Sequence, residues 1–305
     1  MIEENDLVLK TDRHYTQGLK FSYLAPDNQL PCFASCLAAD IPLFGFATNV
    51  SKFGFEIGQN IYTPANLAAK QLLSDDRPYS GWLYTALVLQ RRGLTDLQMP
   101  VLEEFQLDLG VIGPWSLADQ AQTIVHQLRG FALPQGWHNQ LKNEPGVAVK
   151  YERSWRVSTS DRFPFGMDFL PRIGASLGNV DTSGRIGTTL RVGWHLLDDF
   201  GVQTIDSYTT PEGGWEYPAR TGRWGFYGFV GVQGRAVGYA TSLDGNLFRG
   251  GPSVEKRPFV GQLETGGVLV LRRVEMGVTL VFRTPEFTRQ SEHDGFGSVF
   301  LRAKF

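Results

Sequence analysis

The residues best suited to chemistry are a histidine and a glutamine that share one helix-forming segment. Residues 117–129 are rich in helix formers, with Ser116 placed to cap a helix and Gly130 placed to end it. Gln122 and His126 lie four residues apart in this segment, so they share one face of the predicted helix. A neutral imidazole accepts a proton from water, and His126 is therefore a candidate general base.

Two polar clusters near the start of the chain offer further functional groups. Asn5 and Asp6 supply an amide and a carboxylate, and the run 12–16 adds a histidine and the hydroxyl of Thr16. The same residue types are common in hairpin turns, which is the structural alternative for Asn5, Asp6 and Thr16. A single helical histidine is likewise often a packing or surface residue. The residues alone leave both interpretations open.

The elements that position these groups are strands, because apolar and polar residues alternate along most of the chain. Phe55 and Ile57 alternate with Glu56 and Gly58, and comparable runs recur up to the last residues. We count about twelve such runs. Each is about ten residues long, the length that a tilted strand needs to cross a bilayer.

Three features indicate that the apolar side of these strands faces lipid rather than a core. A closed barrel of twelve strands is too wide for modest apolar side chains to fill. The polar sides mix both charge signs with glycine, as at Glu56, Arg185 and Glu275, which suits side chains that pair in a lumen. The chain also ends at Phe305 after a clean alternating run, as bacterial outer-membrane barrels do. A soluble β-sandwich is the alternative.

The sequence therefore predicts an all-β protein, a transmembrane antiparallel up-and-down β-barrel of about twelve strands that forms one domain over residues 1–305. With both termini in the periplasm, the connections after odd-numbered strands face outward, and the predicted helix lies in the long third one. The predicted outer connections are 10–15, 61–80, 110–145, 178–184, 243–256 and 284–295. The predicted inner connections are 24–51, 92–95, 157–166, 195–221 and the turn 272–273.

Composition excludes several classes of protein. The chain has 29 Lys and Arg against 31 Asp and Glu, and no basic run, so we expect no nucleic-acid partner. No apolar run is long enough for a transmembrane helix. The start Met1-Ile2-Glu3-Glu4 is typical of a processed chain given a new methionine, whose precursor would carry a signal sequence. Cys32 and Cys36, with no histidine nearby, fit a local disulfide or two free thiols better than a zinc site.

Five ordered motifs in the first half of the chain carry a resemblance to a known family. They begin with Glu4-Asn5-Asp6 and end with Gly113-Pro114 followed by the Gln122 and His126 pair. Between them lie the segments 11–18 (TDRHYTQG), 59–64 (QNIYTP) and 76–81 (DRPYSG). In this order the motifs resemble those of the LpxR family of lipid A deacylases.

The resemblance implies a calcium-dependent acyl hydrolase of the bacterial outer membrane that removes the 3′-acyloxyacyl chain of lipid A. Position by position, the family's catalytic histidine falls on His126, its Asn-Asp pair on Asn5 and Asp6, and its threonine on Thr16. A lysine of the family's second outer loop aligns with Lys70 only across a gap, which makes Lys70 a weaker candidate for substrate binding.

These assignments lead to a mechanistic hypothesis. His126 activates a water that attacks the ester, Asp6 binds Ca²⁺, Asn5 donates to the oxyanion, and Thr16 positions water or ligand. Gln122 either orients the imidazole or is merely solvated on the helix. We expect a monomer whose partners are lipid A, or lipopolysaccharide, and the surrounding membrane lipids, with the site facing the outer leaflet.

Two other functions fit the same sequence. One is an outer-membrane phospholipase with a different histidine-based site. The other is a non-enzymatic barrel or porin, although the mixed charges of the lumen predict a barrel that does not conduct.

Overall fold

The computed structural model describes residues 1–6, 13–158, 165–202, 204–205 and 224–304, and strands are their main secondary structure. The strands are β1 Ile2–Asn5, β2 His14–Leu24, β3 Phe46–Thr63, β4 Ser80–Thr95, β5 Pro100–Ile112, β6 Glu144–Trp155, β7 Phe165–Gly178, β8 Asp181–Trp194, β9 Trp224–Ala240, β10 Phe259–Leu271, β11 Val274–Arg283 and β12 Asp294–Ala303. The helices are α1 Cys32–Asp40, α2 Ala118–Arg129 and α3 Thr241–Asp244.

Every strand pairs antiparallel with its neighbours in the chain, and the pairing of the first strand with the last closes the cylinder. β1 pairs with β12, where Ile2 lies opposite Phe300. β6 pairs with β7, and a two-residue extension, Val157–Ser158, continues that ladder. The prediction of a twelve-stranded antiparallel barrel is therefore confirmed. The strands are less uniform than predicted, because β1 has four residues and β3 has eighteen.

Along most of the strands, apolar side chains point away from the barrel and charged side chains point into it, as the sequence predicts. Phe55 and Ile57 are about half exposed, whereas Glu56 between them is 3% exposed. Arg185 and Glu275, predicted for the lumen, are also buried. An apolar outer surface is stable where lipid replaces water, and the closed ladders satisfy the strand backbones there.

The lumen is filled by paired charges and by apolar residues of one connection. Arg191, fully buried, donates to both carboxylate oxygens of Asp168 at 2.8 and 2.6 Å and also pairs with Asp199. Leu197 and Ile205 pack against lumen side chains of the strands. Burying a charge without a partner is costly, so each ion pair stabilises the interior only while both members are present.

The connections lie at two rims in the predicted order. Connections 64–79, 113–143, 179–180, 241–258 and 284–293 lie at one end, here called the α2 rim, with Asp6 and Arg13 of the first connection. Connections 25–45, 96–99 and 272–273 lie at the other end, the α1 rim, with the described residues 156–158, 195–202 and 204–205. The turn predicted at 92–95 falls at 96–99, because β4 continues to Thr95. Parts of the predicted connections 10–15, 157–166 and 195–221 lie outside the described residues, as does Phe305.

The α2 helix differs from its prediction only at its beginning. It starts at Ala118, after Leu117 with a positive φ of 58°, and Ser116 does not cap it. Ser116 instead belongs to a 3-10 turn, and its hydroxyl donates to the carbonyl of Gly113 at 2.6 Å. Gly130 ends the helix with a φ of 71°, as predicted.

The α1 helix falls in a connection for which no helix was predicted. Its N-cap residue is Pro31, and no side chain caps it. Cys32 and Cys36 are both free and exposed on it. No helix among the described residues has the length and hydropathy needed to cross a bilayer.

The α2 helix packs on the outside of the barrel, over β3 and β4. Ile61, on the outward side of β3, is 1% exposed because it clusters with Tyr79, Ala118 and Trp137. A Cβ atom at Gly81 would lie 2.3 Å from the Cβ of Ala118, so only glycine allows this approach.

Gly81→Ala should displace the start of α2, because the added methyl group overlaps Ala118 and the hydroxyl of Ser116. We expect a loss of about 1–3 kcal/mol in the free energy of unfolding, the usual cost of overpacking. Urea unfolding in detergent, followed by tryptophan fluorescence, measures it. Gly234→Ala is the matched control, since a Cβ there meets no atom within 4 Å. Equal stability of the two variants would contradict the packing described.

Arg191→Gln should destabilise the barrel by about 3–5 kcal/mol, because it removes the fully buried cation that pairs with both Asp168 and Asp199 and leaves them only their weaker contacts with Arg156 and Arg302. The measurement is the shift of the thermal midpoint at which the folded, heat-modifiable form disappears from gels. Arg273→Gln, at the exposed turn after β10, is the control and should leave the midpoint unchanged. A similar midpoint for both variants would show that the lumen ion pairs contribute little.

Candidate active site

The α2 helix presents a row of residues to the barrel wall. Ala118, Gln122 and His126 recur every four residues and are the buried residues of the helix. Because Ala118 packs on Ile61 of β3, the same face of the helix turns Gln122 and His126 towards the outward side of the strands. The C-terminal end of α2 reaches β1, where Arg129 lies 3.5 Å from a carboxylate oxygen of Glu3. The helix therefore crosses the outward side of the wall from β4 to β1.

The imidazole of His126 has a defined hydrogen-bond arrangement. Its Nδ1 lies 2.7 Å from the carbonyl oxygen of Ala132, in the segment that follows the helix. A carbonyl only accepts, so Nδ1 donates a proton to it, and Nε2 is the ring nitrogen that could act as a base. The ring of Phe131 packs edge-on at 5.8 Å between centroids and restricts its rotation. With Nδ1 as the donor, a general base would act through Nε2.

Gln122 is held by an indole. The Nε1 of Trp137 donates to its side-chain oxygen at 2.8 Å, and the glutamine is fully buried. Among the described residues, its amide nitrogen has no hydrogen-bond acceptor. A buried donor of this kind is costly unless something accepts from it, which is typical of a side chain that contacts a ligand or an ordered water. The alternative of a solvated helix residue is thus inconsistent with its burial.

Asn5 and Thr16 lie on the outward side of the wall that α2 crosses. Glu4 points into the lumen, where it accepts from the hydroxyl of Tyr15 and the backbone N–H of Ile205, both at 2.7 Å. Strand alternation then places Asn5 outward. Thr16 lies at an irregularity in the register of β2 and β3, and its hydroxyl lies 2.7 Å from that of Thr63.

Asp6 directly follows Asn5 and is almost fully buried. One of its carboxylate oxygens accepts the backbone N–H of Arg13, which ties the two ends of the first hairpin together. The carboxylate of Asp6, the amide oxygen of Asn5 and the threonine hydroxyls are hard oxygen donors, the type that calcium prefers. The described residues contain no group of three or more His, Cys, Asp or Glu side chains arranged for a metal ion. The chemistry of the donors thus fits calcium with a single charged ligand.

Lys70 lies apart from these buried groups. Its side chain is exposed in the β3–β4 connection, and its carbonyl accepts from the amide of Asn139 at 2.9 Å. This contact joins the β3–β4 connection to the segment after α2. Lys70 therefore lies at the α2 rim, as the candidate site does.

A buried histidine cluster at this rim has no role in the sequence prediction. Nδ1 of His14 lies 2.8 Å from Asp294, and its Nε2 lies 3.3 Å from Asp76. Burial acts to raise the pKa of the Asp76 carboxyl, but hydrogen bonds from His14 and from the backbone of Ala65 hold the pKa below its ordinary value. The cluster joins the first residues of β2 and β12 to the β3–β4 connection at the α2 rim. His14 and Asp76 lie within the quoted motifs, whereas no local signal marks Asp294.

A Gly-x-Ser-x-Gly sequence from Gly174 to Gly178 has the letters of a hydrolase nucleophile elbow but not its structure. It lies within β7, and the hydroxyl of Ser176 is buried and donates to the carbonyl of Asp181 at 3.1 Å. A nucleophile elbow requires a sharp turn between a strand and a helix. This serine is therefore structural.

Comparison with known proteins agrees with the fold. The sequence model of the family described as outer membrane protein LpxR matches residues 1–305. The solved structure of LpxR from Salmonella typhimurium is similar with a TM-score of 0.77 and 20% identity, over 100% of this chain and 98% of that chain. No curated protein sequence matches. The match of the family model over the whole chain shows that this protein belongs to the LpxR family of outer membrane proteins.

Proposed function

We propose that this protein is an outer-membrane lipid A 3′-O-deacylase that hydrolyses the 3′-acyloxyacyl ester with a water activated by His126. The observation that carries the proposal is the orientation of the imidazole. Its Nδ1–H donates to the carbonyl of Ala132, so the ring would act as a base through Nε2, on the helix face that turns towards the outward wall. A site on the outside of the wall opens to lipid, so its substrate does not need to leave the membrane.

In the proposed reaction, Nε2 of His126 takes a proton from a water as its oxygen attacks the ester carbonyl. The tetrahedral intermediate then breaks its bond to the sugar oxygen, and the imidazolium returns the proton to that oxygen. The products are a free 3′ hydroxyl and the released acyloxyacyl acid. The amide of Asn5 would donate to the oxyanion, and loss of one such donor typically costs about 10²–10³ in rate.

The other polar groups have supporting roles in this proposal. Asp6 would hold Ca²⁺ with backbone carbonyls and water, and the ion would supply Lewis-acid polarisation of the ester carbonyl. Thr16 would position water or ligand through its bond to Thr63. Gln122, oriented by Trp137, would donate its amide N–H to substrate or water. Lys70, exposed at the rim, would contact a phosphate of the head group, and the protein would act as a monomer facing the outer leaflet.

The lumen gives little support to a porin. Arg191 with its partners and the packed connection around Leu197 occupy the interior of the barrel. A phospholipase uses the same lateral access to lipid, so the assay must separate it from a deacylase.

His126→Ala should abolish release of acyl chains from lipid A, because no other described group has the same position. Mass spectrometry of lipid A before and after incubation measures the release, and heat-modifiable migration on gels shows that the barrel is folded. His138→Ala is the matched control, since His138 is exposed in the same connection. Full activity of the His126 variant would remove the assigned base. Release of fatty acid from phospholipid alone, in a parallel assay of the unaltered protein, would indicate the phospholipase instead.

Asp6→Ala should raise the calcium concentration needed for half-maximal activity, because the site loses its charged ligand. We also expect a chelator to stop the unaltered enzyme and added Ca²⁺ to restore it. Binding of Ca²⁺ by calorimetry gives a readout independent of turnover. Asp75→Ala removes an exposed carboxylate at the same rim and should leave the calcium dependence unchanged. An identical calcium dependence of the two variants would exclude Asp6 as a ligand.

A further inference from the structure

The α1 helix, at the rim opposite the candidate site, is apolar on nearly all sides. Its sequence is CFASCLAAD, and its single charge, Asp40, is the last residue. Only Ala34 is buried, whereas Phe33 and Leu37 are 58% and 50% exposed. Leu43 and Phe44, which follow the helix, are also exposed, and together they extend one apolar surface. Contiguous apolar surface of this kind marks an interaction site.

The helix lies against the outward wall of the barrel rather than across its end. Phe33 packs edge-on against Phe53 of β3, with 5.2 Å between ring centroids. Phe53 and Leu89 of β4 occupy outward positions of their strands, but they are only 5% and 3% exposed. The next outward residue towards the middle of the barrel is Phe55, which contacts Phe53 at 4.9 Å and is half exposed. The helix therefore borders directly on the lipid-facing belt.

An ion pair on the same wall fixes the C-terminal end of α1. Arg91 of β4 pairs with Glu103 of β5 at opposed positions, and both are buried although they lie on the outward side. The guanidinium also donates to the carbonyls of Ala38 and Ile41 at 3.2 and 2.6 Å. It thereby satisfies carbonyls that the helix end leaves open and opposes the negative end of the helix dipole. Charged groups facing lipid are costly, and α1 covers this pair.

We propose that α1 is an interfacial anchor whose outer side lies in the boundary between head groups and acyl chains of the phospholipid leaflet at the α1 rim. The occupant is a lipid leaflet because the apolar surface is continuous with the belt. Phe55 and Leu87, the first residues of the belt, are exposed and follow Phe53 and Leu89 by two strand positions, about 7 Å. Apolar side chains of an interfacial helix are stabilised by moving out of water into the boundary between head groups and acyl chains.

The two cysteines report directly on this surface. Ala34 and Ala38 form the side of the helix nearest the wall, since one is buried and the other half-buried. At 100° per residue, Cys32 and Cys36 lie on the opposite side, away from the barrel. Both are exposed and free. The proposed anchor therefore carries native labelling positions on the side that faces lipid.

The test uses the full chain in vesicles of phosphatidylcholine and phosphatidylglycerol, labelled with bimane at Cys36 in the Cys32→Ser variant. We expect a blue-shifted emission, quenching by a phospholipid that carries a nitroxide near its head group, and weak quenching by iodide. The matched control has both cysteines changed to serine and Asp96→Cys, which places the label at the exposed turn of the same rim. Iodide should quench this label severalfold more strongly, and the lipid nitroxide should not quench it.

Equal quenching by iodide at the two positions, with no effect of the lipid nitroxide at Cys36, would overturn the proposal. Disulfide-linked dimers through Cys36 at high lipid-to-protein ratio, together with shielding from both quenchers, would assign the surface to a second copy and also overturn it. Leu37→Glu provides a further measurement in barrels that remain heat-modifiable. A rise in iodide quenching at Cys36 supports the anchor, and unchanged quenching counts against it.

Discussion

The alternation of side chains around a closed hydrogen-bonded cylinder is the constraint on which the rest of the structure depends. Closure satisfies the backbones of the strands without water, and it fixes for every residue whether its side chain meets lipid or lumen. Glu4 is thereby directed to the lumen and Asn5 to the outward wall. The register irregularity at Thr16 brings its hydroxyl to Thr63. Bulges near sites commonly redirect side chains in this way.

The two longer helices use the outside of the same wall for different purposes. Because Gly81 has no side chain, the α2 helix can pack closely on the wall, where it covers an apolar patch around Ile61. The α1 helix, at the other rim, covers the ion pair of Arg91 and Glu103. Each helix therefore shields part of the outward wall from lipid. Under α1 this part carries charges, which are costly when they face lipid. Under α2 it is apolar and lies beside the candidate site.

Charge pairing rather than apolar packing organises much of the interior. Arg191 joins β7, β8 and the connection after β8, because its carboxylate partners come from both strand and connection. At the α2 rim, His14 at the start of β2 contacts Asp294 at the start of β12 and Asp76 in the β3–β4 connection.

The sequence by itself determined the barrel, its inverted polarity, the order of its connections and the α2 helix, because period-two and helical patterns are local. It also placed Gln122 and His126 on one face. Only the tertiary structure decided the tautomer of His126, set by Ala132, and the pairing of His14 with Asp294, 280 positions away. It also revealed α1, whose short, uncapped and uniformly apolar sequence carries no periodic signal. The α1 helix is stabilised by its contacts with Arg91 and with the wall of the barrel. Such contacts between distant segments leave no pattern in a single sequence.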